Sequence, residues 1–379
     1  MAKNNTLLFG AFLFGVAYAV TRNEWYNPTS VTGDLPSNTV IATAYSTISS
    51  SKGCAFGGMN AEFGYPTAFN VPSVYYNDLY CLDFSDMDNM IWTKQTPIGD
   101  SPSPRSLASG SSFQGRFLVY GGINQYFTQF GELWEFDIES STWSLLTPGG
   151  NSPGSRLVPT LAIDEELGLL YLEGGMTYNP DFSVTTHDDV WVYKFGESSV
   201  SALPLGWTQL RSSGASKTWI ASSVFVGGVL YTIGGEDLVN PSYAEFETRV
   251  VAYDIESDIV SYPLTSDLLL RVDSVSQIRK PRDSSQTYLY GGFTGENTCR
   301  WQQRQGTTNE VVEVSLSSST ISLKSSNNLA PYGHRRHGSF VSDKDLIVFS
   351  GFGCDTSQSN DEPAPPLYYN WDQIFVYRM

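Results

Sequence analysis

The chain has 379 residues, 16% of them charged and 14% aromatic, with 34 Gly and a formal net charge of -17. Its 22 Tyr, 21 Phe and 9 Trp can bury far more apolar area than a disordered chain carries. The acidic balance excludes the clustered Lys and Arg that nucleic acid or an anionic membrane requires, so an acidic, β-rich, soluble protein is expected. At the N-terminus Lys3 precedes an apolar run from Leu7 to Val16, and Ala17-Tyr18-Ala19 puts small residues at the two positions a signal peptidase reads. That run is shorter than the roughly 20 residues that span a bilayer as a helix. Residues 1–19 are therefore expected to be a cleaved secretory signal and 20–379 a single domain with no membrane insertion; a buried first strand or an uncleaved anchor is the alternative.

Next along the chain, Asn23-Glu24-Trp25-Tyr26-Asn27-Pro28 looks like Thr142-Trp143-Ser144-Leu145-Leu146-Thr147-Pro148 further on. A hydrophobic run ending in a Gly pair then recurs at Phe56-Gly57-Gly58, Tyr120-Gly121-Gly122, Glu173-Gly174-Gly175, Ile233-Gly234-Gly235 and Tyr290-Gly291-Gly292, with a degenerate copy at Ser350-Gly351-Phe352-Gly353. Successive copies are 64, 53, 60, 57 and 60 residues apart. Each is followed by a loop and a segment alternating with period two, at 78–83, 132–137, 189–193, 249–254, 310–314 and 373–377. Such alternation, rich in Val, Tyr, Phe and Trp, marks half-buried strands. A last strand follows, opened by Trp92, Trp143 and Trp207 and more weakly by Val260 and Ile321.

The Gly pair, the aromatic in the next strand and the Trp beyond it, as in Gly121-Gly122, Trp134 and Trp143, resemble the kelch repeat, as do lead-ins such as Pro104-Arg105 and Pro153-Gly154-Ser155-Arg156. The resemblance covers the whole mature chain and implies an all-β propeller of the galactose-oxidase-like kelch type, each repeat a blade of four antiparallel strands around a central channel. The six copies in this chain then make six blades. The last copy ends on its third strand at Met379, so the segment near 23–28 is expected to supply the missing outer strand and close the ring, hiding edges that would template aggregation. In this arrangement Cys54 and Cys81 lie on adjacent strands of blade one, and Cys299 and Cys354 in loops of neighbouring blades five and six. Two disulfides are expected, Cys54 with Cys81 and Cys299 with Cys354, with buried thiols as the alternative for the first pair.

The resemblance also implies a binding face, where the second-to-third-strand loops and the connections between blades emerge. Those loops run to about eighteen residues at 59–76 and 354–371 and sixteen at 293–308, beyond the two to five a hairpin needs. They carry Tyr65, Tyr126, Phe127, Tyr178, Phe182, Tyr243, Trp301, Tyr369 and Trp371, either as contact residues or as a cap over the channel. Leading into the blades stand Arg105, Arg156, Lys217, Arg271, Arg335 and Arg336, an apparent cationic ring at the channel mouth that would suit an acidic peptide or a carboxylated glycan. The alternative is that these bases belong to the repeat and pair with loop carboxylates.

No catalytic constellation stands out. His334 and His337 have a metal-ligating spacing, but they fall in a lead-in where the repeat ordinarily holds Arg and His, and His187 is remote. The residues that hold copper in galactose oxidases come partly from a further domain. No cofactor is therefore expected. The leading expectation is a non-catalytic secreted module that binds a protein partner within an extracellular assembly. A glycan-binding protein using the loop aromatics and the Arg ring is the alternative, and a metal-dependent enzyme the less favoured one.

Overall fold

The computed structural model describes residues 23–36, 40–60, 74–146, 151–196, 203–218, 220–240, 243–269, 278–280, 283–291, 310–324, 334–335, 337–353, 367–368 and 370–379. Six antiparallel sheets follow one another as the blades of a β-propeller. Blade two is representative: Ser106–Phe113, Arg116–Ile123, Leu133–Asp137 and Thr142–Leu145 run from the channel to the rim. Gln114 and Gly115 reverse its first hairpin with φ of 49° and 77°, the paired left-handed conformation that matches strand twist. Its second strand is buried on both faces from Phe117 to Ile123, whereas outer strands alternate, as in Asn89–Lys94, where Met90 and Trp92 are buried between exposed neighbours.

The ring closes as expected. Glu24–Tyr26 is the outer strand of blade six, with Trp25 opposite Tyr377 on Phe375–Arg378. Trp25 is 1% exposed and lies 4.8 Å from the ring of Tyr290 in blade five. The chain then does something its sequence did not announce: Ser30–Gly33 runs parallel to Asn89–Lys94 as a fifth strand at the rim of blade one. Gly33 has φ of 99°, and a Cβ there would collide with the Trp92 carbonyl. One short segment thus joins the sheets of the last and first blades.

Apolar side chains gather in the gaps between blades. Trp92, Phe340, Phe349 and Trp371 fill the gap between blades one and six, and Phe56, Phe117, Phe136 and Trp143 that between one and two. The remaining four gaps have layers of their own. Cys54 and Cys81 are bonded across the second and third strands of blade one; Cys299 and Cys354 lie outside the described residues.

At the inner end of the lead-ins, the N–H of Leu107 donates to the carbonyl of Ala42 (3.1 Å), Val158 to Leu107 (2.9 Å) and Ile220 to Val158 (3.4 Å). All four residues have positive φ, between 43° and 55°, a conformation that costs about 1–3 kcal/mol for a residue other than Gly. Its recurrence at one place in successive blades shows that the blade-to-blade bonds hold it. Behind this backbone belt lies the channel, a cavity of about 460 Å³ lined by the innermost strands, with Ser46, Ser111, Ser112 and Ser223 on its wall.

Candidate functional site

Two of the lead-in arginines, Arg105 and Arg156, are structural. The N–H of Arg105 donates to the Tyr76 carbonyl (3.0 Å), and its own carbonyl accepts from Gly58 (2.8 Å), so its backbone belongs to blade one. Its side chain turns into blade two: the guanidinium donates to the Gly121 carbonyl (3.2 Å) and Glu132 Oε2 (3.0 Å) and lies 3.8 Å from the Phe130 ring. Arg156 repeats this one blade on. Its backbone joins Phe130 and Gly122, and its guanidinium donates to the Gly174 carbonyl (2.9 Å) and to both oxygens of Asp189 (2.7 and 2.8 Å). Each carboxylate also accepts from the indole two residues later, Trp134 on Glu132 and Trp191 on Asp189. Burial works against the charge of Asp189, but the Arg156 hydrogen bonds and charge outweigh it and hold the carboxyl below its ordinary value.

Arg105 and Arg156 are 1% and 2% exposed, so the expected open cationic mouth is corrected at both: their donors are used inside the wall, as the repeat-pairing alternative supposed. The glycine pair explains the register. A Cβ on Gly57, Gly121 or Gly174 would collide with the carbonyl of Arg105, Arg156 or Thr218 respectively, so glycine is required at these three blade junctions. The blade-four counterpart of the two arginines is thus Thr218, and the exposed Lys217 stands one residue out of step. Arg271 and Arg336 lie outside the described residues; Arg335 is described only through its backbone, opposite Phe352.

Blade three carries a residue that sequence reasoning passed over. Glu173 precedes the Gly pair where other copies have Phe56, Tyr120, Ile233, Tyr290 or Ser350, and it is fully enclosed. Its carboxyl accepts from the Ser216 N–H (2.8 Å) and the Thr232 hydroxyl. Burial pushes its pKa up to about 7, against the lowering effect of those two donors, with Asp189 and Asp188 adding a smaller upward push. The departure from the repeat was the available signal. His187, half-buried beside Thr177, is lowered by burial, and His337 is buried edge-on to Tyr290. Among the described residues no group of three or more His, Cys, Asp or Glu is placed to hold a metal.

The loop aromatics separate into two kinds. Trp371 is 2% exposed, donates to the Val40 carbonyl (3.1 Å) and packs 4.7 Å from Trp92; it is core, which corrects its assignment to the binding face. Tyr126, Phe127 and Phe182 are 78%, 48% and 67% exposed. Phe127 and Phe182, from adjacent blades, meet edge to face at 5.9 Å. Their turns share one construction. Asn124 bonds Phe127 and Thr128 through its backbone, as Asn179 bonds Phe182 and Ser183, leaving both Phe residues left-handed at φ of 60° and 63°. The Gln129 amide joins the loops by donating to the Tyr178 carbonyl and accepting from its N–H, both at 2.8 Å, with Tyr178 half-buried behind the tips. Tyr65, Trp301 and Tyr369 lie outside the described residues, and Tyr243 is described only through its backbone in Tyr243–Phe246.

Six four-stranded blades, glycine pairs against lead-in carbonyls and a last blade closed by the N-terminal strand define a repeat propeller. The KLHDC2/KLHL20/DRC7 Kelch-repeats domain model matches residues 13–235, and the chain belongs to the kelch-repeat family. It is similar to the host cell factor of Drosophila melanogaster, 36% identical over 109 residues, covering 27% of this chain and 7% of that protein. Similarity to the flagellar outer-arm dynein alpha chain of Chlamydomonas reinhardtii is 30% over 144 residues, 38% of this chain and 3% of that one. Acyl-CoA-binding domain-containing protein 4 of Arabidopsis thaliana is 35% identical over 80 residues, 21% of this chain and 12% of that protein. The matched stretches are thus small parts of much longer relatives.

Proposed function

We propose that this chain is a secreted, non-catalytic propeller that holds another protein on its loop face, within an extracellular assembly. The observation that carries this reading is the cluster of exposed Tyr126, Phe127 and Phe182 on tips fixed by side-chain and backbone hydrogen bonds. Preorganised aromatics bury large area at small entropic cost, which is the character of a docking surface. The buried arginines and the bonded blade wall supply rigidity behind it. Secretion rests on the N-terminal sequence and agrees with the Cys54–Cys81 bond, since disulfides persist in oxidising compartments.

Native material tests this directly. A complex larger than the monomer is expected by size-exclusion chromatography, with slowed hydrogen exchange at 122–132 and 175–189 inside it, and with Val20 as the first residue. A strict monomer, or protection confined to the rim strands, would overturn the docking role. A chain that keeps Met1 and stays inside the cell would overturn secretion.

A further inference from the structure

The second-to-third-strand loops of blades two, three and four span 122–132, 175–189 and 235–248. Together they hold eight carboxylates and no Lys or Arg. Three of the eight are engaged by cations: Glu132 by Arg105, Asp189 by Arg156 and Glu247 by Arg249. Asp181 is different. It is exposed at the tip beside Phe182, accepts only from the Ser183 N–H (3.0 Å) and hydroxyl (2.6 Å), and has no cation partner among the described residues. Val184–Thr186 of blade three lies against Glu236–Asn240 of blade four, so the acidic stretch beginning Glu236-Asp237 continues the same arc.

Other large exposed apolar side chains, such as Ile91, Leu145, Ile259 and Leu323, lie on outer strands at the rim. At the arc, by contrast, three aromatic rings from two blades adjoin an ion without a counter-ion. An aromatic face attracts a cation through its quadrupole, and the long stems of Lys and Arg cover apolar surface while the charged end stays in polar surroundings. We propose that the arc of loop tips over blades two to four docks a Lys- or Arg-bearing segment of a partner polypeptide, the side-chain stem against Tyr126, Phe127 and Phe182 and the charge facing Asp181. This reverses the charge of the ligand that the lead-in bases suggested: Arg105 and Arg156 are sealed in the wall, and the tips over blades two and three offer a partner aromatic rings and a carboxylate. The inference rests on the docking role proposed for the loop face.

The purified full chain should be titrated with a short Arg/Lys-rich peptide, with the same peptide carrying Glu at each basic position, and with neutral and acidic oligosaccharides. Saturable binding is expected for the basic peptide alone, weakening with added salt. Tyr126→Ser, Phe182→Asn and Asp181→Asn should each weaken it about tenfold, and the rim variant Leu323→Ser should leave it unchanged. Phe182→Asn keeps a residue that tolerates the left-handed turn, and unaltered circular dichroism verifies that each variant is folded. No binding of the basic peptide, or equal binding by the tip variants, overturns the proposal. Preference for the acidic peptide or a sugar, lost in the same variants, overturns the partner chemistry while leaving the loop face as a docking surface. If native partners protect only the rim, the docking role fails with it.

Discussion

The lead-ins to blades three and four begin from the same backbone and end in opposite chemistry. In both, a carbonyl accepts the N–H of the second glycine of the preceding blade, Arg156 from Gly122 and Thr218 from Gly175. Around Arg156 stand Asp189 and Trp191, which complete a charged clamp. The corresponding places in blade four, set by Val190 opposite Glu173 and Val250 opposite Ile233, hold Arg249 and Val251. The guanidinium, the carboxylate and the indole were replaced together, and Arg249 turns to Glu247 instead. The gap between blades three and four is bridged by a buried carboxyl, Glu173, through Thr232 of the next blade. Backbone geometry is thus the shared requirement of the repeat, while the polar group that secures each gap varies as a unit.

The largest effect expected from breaking this comparison is Arg156→Ala. It would leave the Asp189 carboxylate, 13% exposed, without its counter-ion and should cost about 3–5 kcal/mol in urea unfolding. Arg105→Ala should cost less, about 1–3 kcal/mol, because Glu132 is 41% exposed and water can replace the guanidinium. Equal losses would mean that the two clamps are not graded by burial.

Glu173 should act on pH in the opposite sense to Asp189. A carboxyl at about 7 in the folded chain, against 4.5 ordinarily, is still protonated in the fold at pH values where the unfolded chain has released its proton. Stability should therefore fall as pH rises between those values, by about 3 kcal/mol for this group. Asp189, held low by Arg156, contributes stability that is present at neutral pH and lost on acidification through its depressed value. Glu173→Gln should flatten the decline and make the variant more stable than the parent at pH 8, as read from denaturant midpoints across pH. An unchanged slope would show that Glu173 is ionised in the fold.

Smaller still is the test of replacement as a unit. Thr218→Arg alone should destabilise, since its guanidinium would approach Arg249; adding Arg249→Asp should recover part of the loss, with a coupling of about 1.5 kcal/mol in a double-mutant cycle. Strict additivity would deny that the clamp is one device.

The same comparison explains what the sequence disclosed. The blade count was legible because Gly57, Gly121 and Gly174 each answer a collision with a lead-in carbonyl of the next blade, and such a need leaves the same letters in successive copies. The closing strand was legible through Trp25, which repeats the outer-strand Trp of other blades. The fate of the basic residues was not, because their burial depends on carboxylates some thirty residues away, and the step between Lys217 and Thr218 shows only when the carbonyls are placed. Trp371 misled for a related reason: a loop in sequence folds its indole back into the gap between blades one and six. Ser30–Gly33 carries too few residues to show an alternating pattern of its own.

Blade position also separates residues that serve the fold from residues that the fold sustains. The left-handed Ala42, Leu107, Val158 and Ile220 are tied blade to blade, so their strain is part of ring closure. Phe182 is left-handed on a tip whose ring is 67% exposed, and no interblade backbone bond requires a bulky residue there. Phe182→Asn should therefore raise the stability of the free protein by about 1 kcal/mol, seen as a higher urea midpoint with an unchanged m-value. The same substitution is one of the three expected to weaken binding of the basic peptide. A gain in stability joined to a loss in binding would mark Phe182 as retained for contact; a loss in both would mean that its ring, against Phe127, is holding the two loops in place.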